Sequence, residues 1–427
     1  MNVEIQKERR PLPAGIQTFR RLRKKGCYYV DKTPLIRQMI EEGDFYFLSR
    51  PRRFGKSLLV STLKELIEGN EPLFQGLDIH SHWDWSIKYP VVRLSFGGKV
   101  SIIKSSEDHI RFLFVIGITM FSKTSFSSGL NNLTNISLSP RYATICRYTD
   151  HDLDTVFAPE LEGLDRDKIR TWYNGYHWLG TEKLYNPHDI LHLFYEREYT
   201  EHWFQSGEPG YLYRMLEKNR VSPMQLENRI VVASSVSKFV LDKFSHEALL
   251  FQSGYLTIKE KEVKEDNILY RLDYPNYEVQ RSFNLGFADH LTGCGREIIE
   301  AGNVLIQALA ENNFSAFKEN IQPMFKGIPY AWSSSGGLER YESWYASLLS
   351  MSFRTTRVDL KAEEMSGHGR SDLVILHENQ IFVLEFKMVE DSESKERKVE
   401  EGLDEAITQI REKAMPRSIK ALINLSI

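Results

Sequence analysis

Cysteine is scarce in this chain: three in 427 residues, at Cys27, Cys146 and Cys294, with no CxxC pair among them. That spacing excludes a disulfide framework and a cysteine-rich zinc site, and it predicts a reducing, cytoplasmic setting. Long hydrophobic runs are missing too. The best of them, Phe112–Ile118, falls far short of the ~20 residues needed to span a bilayer. The polar start MNVEIQKERR carries no signal-peptide pattern. Neither sign of charge dominates, with 55 Lys and Arg against 58 Asp and Glu and a net charge of −3, so a uniformly basic nucleic-acid coat is excluded. Repeats and low-complexity tracts are absent. What is present is 41% hydrophobic and 26% charged, the composition of a globular protein, with length for about three domains of ~150 residues.

The charge is unevenly placed. Residues 1–60 carry 14 Lys and Arg against six acids, so the remainder is acidic. Within that basic stretch, Phe45–Leu48 reads as a buried strand, and Leu58, Leu59, Leu63, Leu66 and Ile67 recur at helical spacing. Between them lies Ser49-Arg50-Pro51-Arg52-Arg53-Phe54-Gly55-Lys56-Ser57. A loop ending in Gly-Lys-Ser between strand and helix is the setting for phosphate: the helix start offers free N–H groups and a positive dipole end. Lys56 would reach the outer phosphates of ATP and Ser57 a magnesium ion, with Arg50, Arg52, Arg53 and Gly55 completing the loop. Arg50 stands where the full GxxxxGK[ST] pattern has its first glycine. Without that glycine the loop also reads as a basic turn capping a core helix.

Val91–Phe96 and Phe112–Ile118 read as two further buried strands, the second leading to Thr119 at a strand end where α/β sheets place ligand contacts. Hydrolysis of ATP in such a sheet needs another strand ending in Asp or Asp-Glu. No run of four apolar residues followed by Asp occurs in residues 60–240, and only Gly97–Ile110 separates the two strands. Nucleotide binding with impaired hydrolysis is the expectation.

Residues 151–285 are helix-rich and aromatic, with Trp172-Tyr173-Asn174-Gly175-Tyr176-His177-Trp178 and Tyr185-Asn186-Pro187. Base stacking is one use of such rings; the core of a small helical domain is the commoner one. His80 and His82 lack a third ligand at workable spacing and read as surface histidines. Ser333–Gly337 is the clearest linker.

Beyond it, Leu373–Leu376 and Ile381–Phe386 flank a polar turn, His377-Glu378-Asn379-Gln380. A two-residue turn at Glu378-Asn379 sets His377 opposite Gln380 and Asp372 opposite Glu385, with Lys387 on the same side as Glu385. Both faces of the strands are apolar, so the hairpin is covered on both sides. Two like charges opposed at its end call for compensation, and Mg²⁺ or Mn²⁺ with hard oxygen ligands suits. Lys387 would then orient water and offset charge on a phosphate, the arrangement of metal-dependent phosphodiester hydrolysis. The competing account is a plain ion-pair network with Arg370 and Lys387. Glu342 is either a further acid near the metal or a helix-start acid, and Gln409 with Lys413 either touches the substrate backbone or forms a solvated helix face.

These segments together resemble a bacterial family, the AAA-ATPase-like proteins fused to a C-terminal PD-(D/E)XK nuclease. The resemblance is carried by GIQTF (15–19), YYVDKTPLI (28–36), FLSRPRRFGKSLL (47–59), WYNGY (172–176), GRSDLVI (369–375) and EFK (385–387). It implies an α/β protein in three parts. Residues 1–150 would form a P-loop NTPase-like sheet, 151–285 a helical lid or winged-helix-like region, and 286–427 a restriction-endonuclease-like α/β/α core. The RPRRFGKS loop is then the family's own form. The resemblance also maps metal-binding acids onto Asp372 and Glu385, a lysine onto Lys387 and, more loosely, a helix acid onto Glu342. An acidic segment expected between the Val91–Phe96 and Phe112–Ile118 strands is missing, which implies an internal deletion costing a central strand. Ala421–Ile427 ends about where a further strand and helix are expected. The expected partners are ATP and DNA or RNA, with no membrane, and a non-catalytic nucleotide- or nucleic-acid-binding module is the alternative.

Overall fold

The structure is a computed structural model. It describes residues 8–94, 110–118, 132–204, 209–219, 221–237, 245–326, 338–356, 358–362, 365–366, 369–370, 373–377, 380–384 and 386. Two compact units are interleaved along the chain: Met1–Glu208 with Asn228–Val279, and Pro209–Glu227 with Gln280–Ile427.

The first unit opens with helices α1 (Phe19–Lys24) and α2 (Thr33–Glu42), strand β1 (Phe45–Ser49) and helix α3 (Lys56–Ile67). Asp31 starts α2 by accepting from the N–H and hydroxyl of Thr33 at 2.9 and 2.6 Å, with Pro34 in the first turn. β2 (Leu113–Gly117) and β3 (Thr134–Asn135) lie parallel to β1 on either side of it, giving the order β2-β1-β3. Tyr46 and Leu48 of β1 pack with Ile36 and Met39 of α2 and Leu59, Leu63 and Leu66 of α3. The apolar periodicity thus becomes one helix–sheet core.

One expected strand is absent where it can be checked. Val91–Leu94 form no ladder, and Val92 and Leu94 are 81% and 54% exposed. β1 has a neighbour on each side, and the apolar pattern at 91–94 pairs with no strand among the described residues. Phe96 lies outside them.

α4 (Asp150–Val156), α5 (Arg166–Tyr173), the short pair β4 (Asn174–Tyr176) and β5 (Leu184–Tyr185), and α6 (Pro187–Glu196) follow. Each helix has its start written in sequence. Thr149 and Asp152 form a reciprocal capping box, Asp165 caps α5, and Asn186 accepts from His188 N–H ahead of Pro187. The aromatic run forms a core, with Trp172, Tyr173, Tyr176 and Trp178 all buried. After α7 (Gly210–Asn219), which belongs to the second unit, come β6 (Arg229–Val232), α8 (Ala233–Ser237), α9 (His246–Ser253), β7 (Thr257–Lys264) and β8 (Asn267–Asp273). β6, β8 and β7 form an antiparallel sheet.

α10 (Tyr277–Thr292) contains the boundary between the units. The second unit continues with α11 (Gly295–Ala310), α12 (Phe314–Lys326) and α13 (Leu338–Arg354). Gly302 of α11 meets α13 so closely that a Cβ would stand 2.4 Å from the Ser352 carbonyl oxygen, so only glycine fits. Strands β9 (Asp359–Ala362), β10 (Met365–Ser366), β11 (Gly369–Arg370), β12 (Leu373–His377) and β13 (Gln380–Leu384) complete it, with β13-β12-β9 as an antiparallel sheet. Among the described residues no helix is long and apolar enough to cross a membrane.

Candidate functional sites: a phosphate loop and a carboxylate hairpin

At the end of β1 the chain turns through Arg53 (φ 65°) and Gly55 (φ 74°) into α3. A side chain at Gly55 would press on the Cys146 carbonyl oxygen, 3.2 Å from an added Cβ. No side chain caps α3, so its first N–H groups face the loop without a protein acceptor of that kind. Lys56 folds back against the loop and donates to the carbonyls of Arg50 and Pro51 at 2.8 and 2.6 Å. Burial pulls its ammonium down to about 8, and repulsion from Arg147 and Arg50 adds to this.

Arg50 takes a different place from that expected. It is 1% exposed, and its guanidinium donates to the carbonyls of Ser49, Ser137 and Tyr142 at 2.9, 2.7 and 3.2 Å. It braces the loop through those three carbonyls. Arg53 is exposed. Arg52 lies over the Trp203 ring at 5.4 Å, while the Trp203 indole donates to the Arg52 carbonyl at 3.2 Å. Ser57 is half-buried in the first turn of α3. Thr119 lies outside the described residues.

Arg147 had no signal in the sequence. It is 1% exposed and lies over Trp178 (3.2 Å), Phe54 (3.9 Å) and Tyr176 (5.0 Å), with none of its three guanidinium nitrogens hydrogen-bonded. Burial and the neighbouring Arg50 lower its pKa well below the ordinary value. Arg50, Lys56 and Arg147 therefore lie together beneath one loop, and none of them is ion-paired to a carboxylate among the described residues. An uncompensated positive cluster below open helix N–H groups is chemically an anion seat.

A second buried group was also missed. Asp189 of α6 and Glu278 of α10 are both fully buried and face each other. Glu278 accepts from the N–H groups of Trp203 and Phe204 at 2.9 and 3.2 Å. Burial pushes both carboxyls upward, Glu278 to about 7. Single acids 89 residues apart carry no pattern that would pair them on a first reading.

In the second unit the hairpin register follows the expectation throughout its described length. His377 pairs with Gln380, Leu376 with Ile381, and Leu373 with Leu384. Leu373, Val374 and Ile375 are at most 2% exposed in succession, so both faces of β12 are covered at that end. Leu373 and Leu384 are the chain neighbours of Asp372 and Glu385. Those two acids, with Lys387, Gln409 and Lys413, lie outside the described residues. Glu342 falls within α13, one of the helices of the same unit.

Residues 13–101 match the family model for a predicted AAA-ATPase, and residues 340–424 match the PD-(D/E)XK nuclease superfamily. The chain is 37% identical to an uncharacterized protein from the vnfD 5' region of Azotobacter chroococcum mcd 1, with 90% of each chain covered. It belongs to the AAA-ATPase-like proteins that carry a C-terminal PD-(D/E)XK superfamily domain. The alignment of this AAA-ATPase-like chain to its relative runs over 465 residues, more than the 427 present here, so the relative has residues without counterpart. No solved structure matches the chain.

Proposed function

We propose that this protein is a Mg²⁺- or Mn²⁺-dependent nuclease acting on DNA or RNA, governed by an ATP-binding N-terminal domain whose hydrolysis is impaired. The hairpin carries this reading. Its described register runs from His377–Gln380 to Leu373–Leu384, at an end buried on both faces, and we extend that pairing by one residue to oppose Asp372 and Glu385. Carboxylates in such a place need a counter-charge, and their hard oxygens fit Mg²⁺ better than a softer ion. When bound there, the ion supplies Lewis acidity for the scissile phosphate. Lys387, two residues beyond Glu385, holds the attacking water and offsets charge on the phosphate, and Glu342 adds an acid from α13. Gln409 and Lys413 bind the substrate backbone.

For the N-terminal half, the cationic cluster under the loop supports ATP, with Lys56 swinging from its two carbonyls to the outer phosphates and Ser57 to magnesium. The impairment reading rests on Val91–Leu94 lying outside any sheet and on the sequence of residues 60–240, where no run of four apolar residues is followed by Asp. We assign the helical lid to 151–285 and an α/β/α endonuclease-like core to 286–427. The test is cleavage of mixed DNA and RNA with Mg²⁺ or Mn²⁺, with and without ATP. Cutting by the native chain and none by a folded Glu385→Ala variant is expected. Equal cutting by both would overturn the assignment of the site. No cutting by a folded native chain under either metal would leave the protein as a binding module.

A further inference from the structure

α6 places His192 and Glu196 one turn apart on one face, and the chain then reverses at Arg197 (φ 61°) and brings His202 back to them. The Nδ1 of His192 stands 3.3 Å from one Glu196 carboxylate oxygen, and the Nδ1 of His202 stands 3.5 Å from the other. One ligand atom from each of the three lies within 4.8 Å of the other two. We propose that His192, Glu196 and His202 form a zinc site, separate from the carboxylate hairpin and independent of its nuclease reading.

Three features support a cation there. First, the His202 Nε2 lies 3.2 Å from the Glu198 carbonyl oxygen. A carbonyl only accepts, so Nε2 carries the proton and the lone pair of the neutral ring sits on Nδ1, facing the Glu196 carboxylate. Backbone anchoring of the far ring nitrogen is how metal-binding histidines are commonly oriented. Second, Arg197, the chain neighbour of Glu196, is committed elsewhere: it donates to the Glu160 carbonyl at 2.6 Å and pairs with the Glu160 carboxylate at 3.1 Å. Third, the spacings suit the ion. Zn²⁺ with ligands at ~2.0–2.1 Å in a tetrahedron has ligand–ligand edges of about 3.3 Å.

The donor set also selects the ion. Two imidazoles and one carboxylate favour Zn²⁺ over Mg²⁺, and the partly exposed Glu196 leaves a fourth position to water. His188 packs edge-on against the His192 ring at 4.2 Å and restricts it without being counted among the three ligands. The ion would tie the end of α6 to the segment leading into Trp203, whose indole touches the phosphate loop at the Arg52 carbonyl.

The full-length protein, stripped with chelator and desalted, is titrated with Zn²⁺ in millimolar Mg²⁺, which occupies hard-oxygen sites. Co²⁺ serves as the visible-absorption probe of four-coordination. One Zn²⁺ per chain is expected. Affinity should fall at least about tenfold in His192→Gln and in Glu196→Gln, both at partly exposed positions where circular dichroism can confirm the fold. It should be unchanged in Glu385→Gln and in a His80→Gln, His82→Gln double variant. Failure of the native chain to retain Zn²⁺, or retention undiminished in His192→Gln and Glu196→Gln, would overturn the site.

Discussion

If Lys56 is the phosphate ligand, the affinity for ATP depends on pH in a way that its burial dictates. In the free protein the ammonium is held down at about 8. Phosphate oxygens beside it favour the charged form and restore its pKa to at least the ordinary value of about 10.4. Binding therefore takes up a proton above pH 8, and affinity must drop as pH rises through that value. At pH 9.5 only about 3% of free chains carry the charge, so the affinity at pH 7 falls by roughly thirtyfold, about 2 kcal/mol.

Few other groups confuse this window. The Cys146 thiol beside Lys56 is pushed up by burial, and the nearby Tyr176 hydroxyl is pushed far higher by its own burial. The assay is calorimetric or fluorescence titration with Mg-ATP at pH 7, 8, 8.75 and 9.5, on the native chain and on Lys56→Met. The native chain should lose affinity with a slope approaching tenfold per unit at the top of the range. Lys56→Met should bind weakly with no such slope. Equal native affinities at pH 7 and 9.5, or the same slope in Lys56→Met, would refute the assignment of Lys56 to the phosphates.

The two buried arginines should respond in opposite ways to replacement by methionine. Arg50→Met leaves three buried carbonyls without their donor, a loss of at least about 3 kcal/mol at 1–3 kcal/mol each, read by urea unfolding. Arg147→Met removes a buried cation that has no hydrogen bond and fills its place with apolar volume, so stability should hold or rise by about 1–4 kcal/mol. Glu278 has a folded pKa above its unfolded value, so its contribution is complete below about pH 4.5 and is lost as pH climbs to about 7. Glu278→Gln keeps an acceptor for the Trp203 and Phe204 N–H groups and should raise Tm over the native chain at pH 8 but not at pH 4.5, by an amount worth up to about 3 kcal/mol. A gain of equal size at both values would show that the carboxyls do not share a raised pKa.

Local grammar was the legible part of this protein. Strand β1, the turn and α3 follow from apolar spacing around Gly55-Lys56, the helix starts from Asp31, Thr149, Asp165 and Asn186, and the hairpin register from a two-residue turn. In each case the residues that decide the structure lie in one short, continuous stretch of chain. What sequence could not supply were groups joined only by folding. The role of Arg50 depends on the carbonyls of Ser137 and Tyr142, and the place of Arg147 on rings from Phe54 and Trp178. Val91–Leu94 shows the reverse error, since an apolar run becomes a strand only where it finds a partner to pair with and a face to bury, and Val92 and Leu94 stay exposed outside any ladder. The zinc cluster lies between these cases. His188, His192 and Glu196 recur every fourth residue on one helix, a pattern that was visible. The deciding ligand, His202, came into reach only through the left-handed turn at Arg197, and no periodicity announces a turn made by a residue other than glycine.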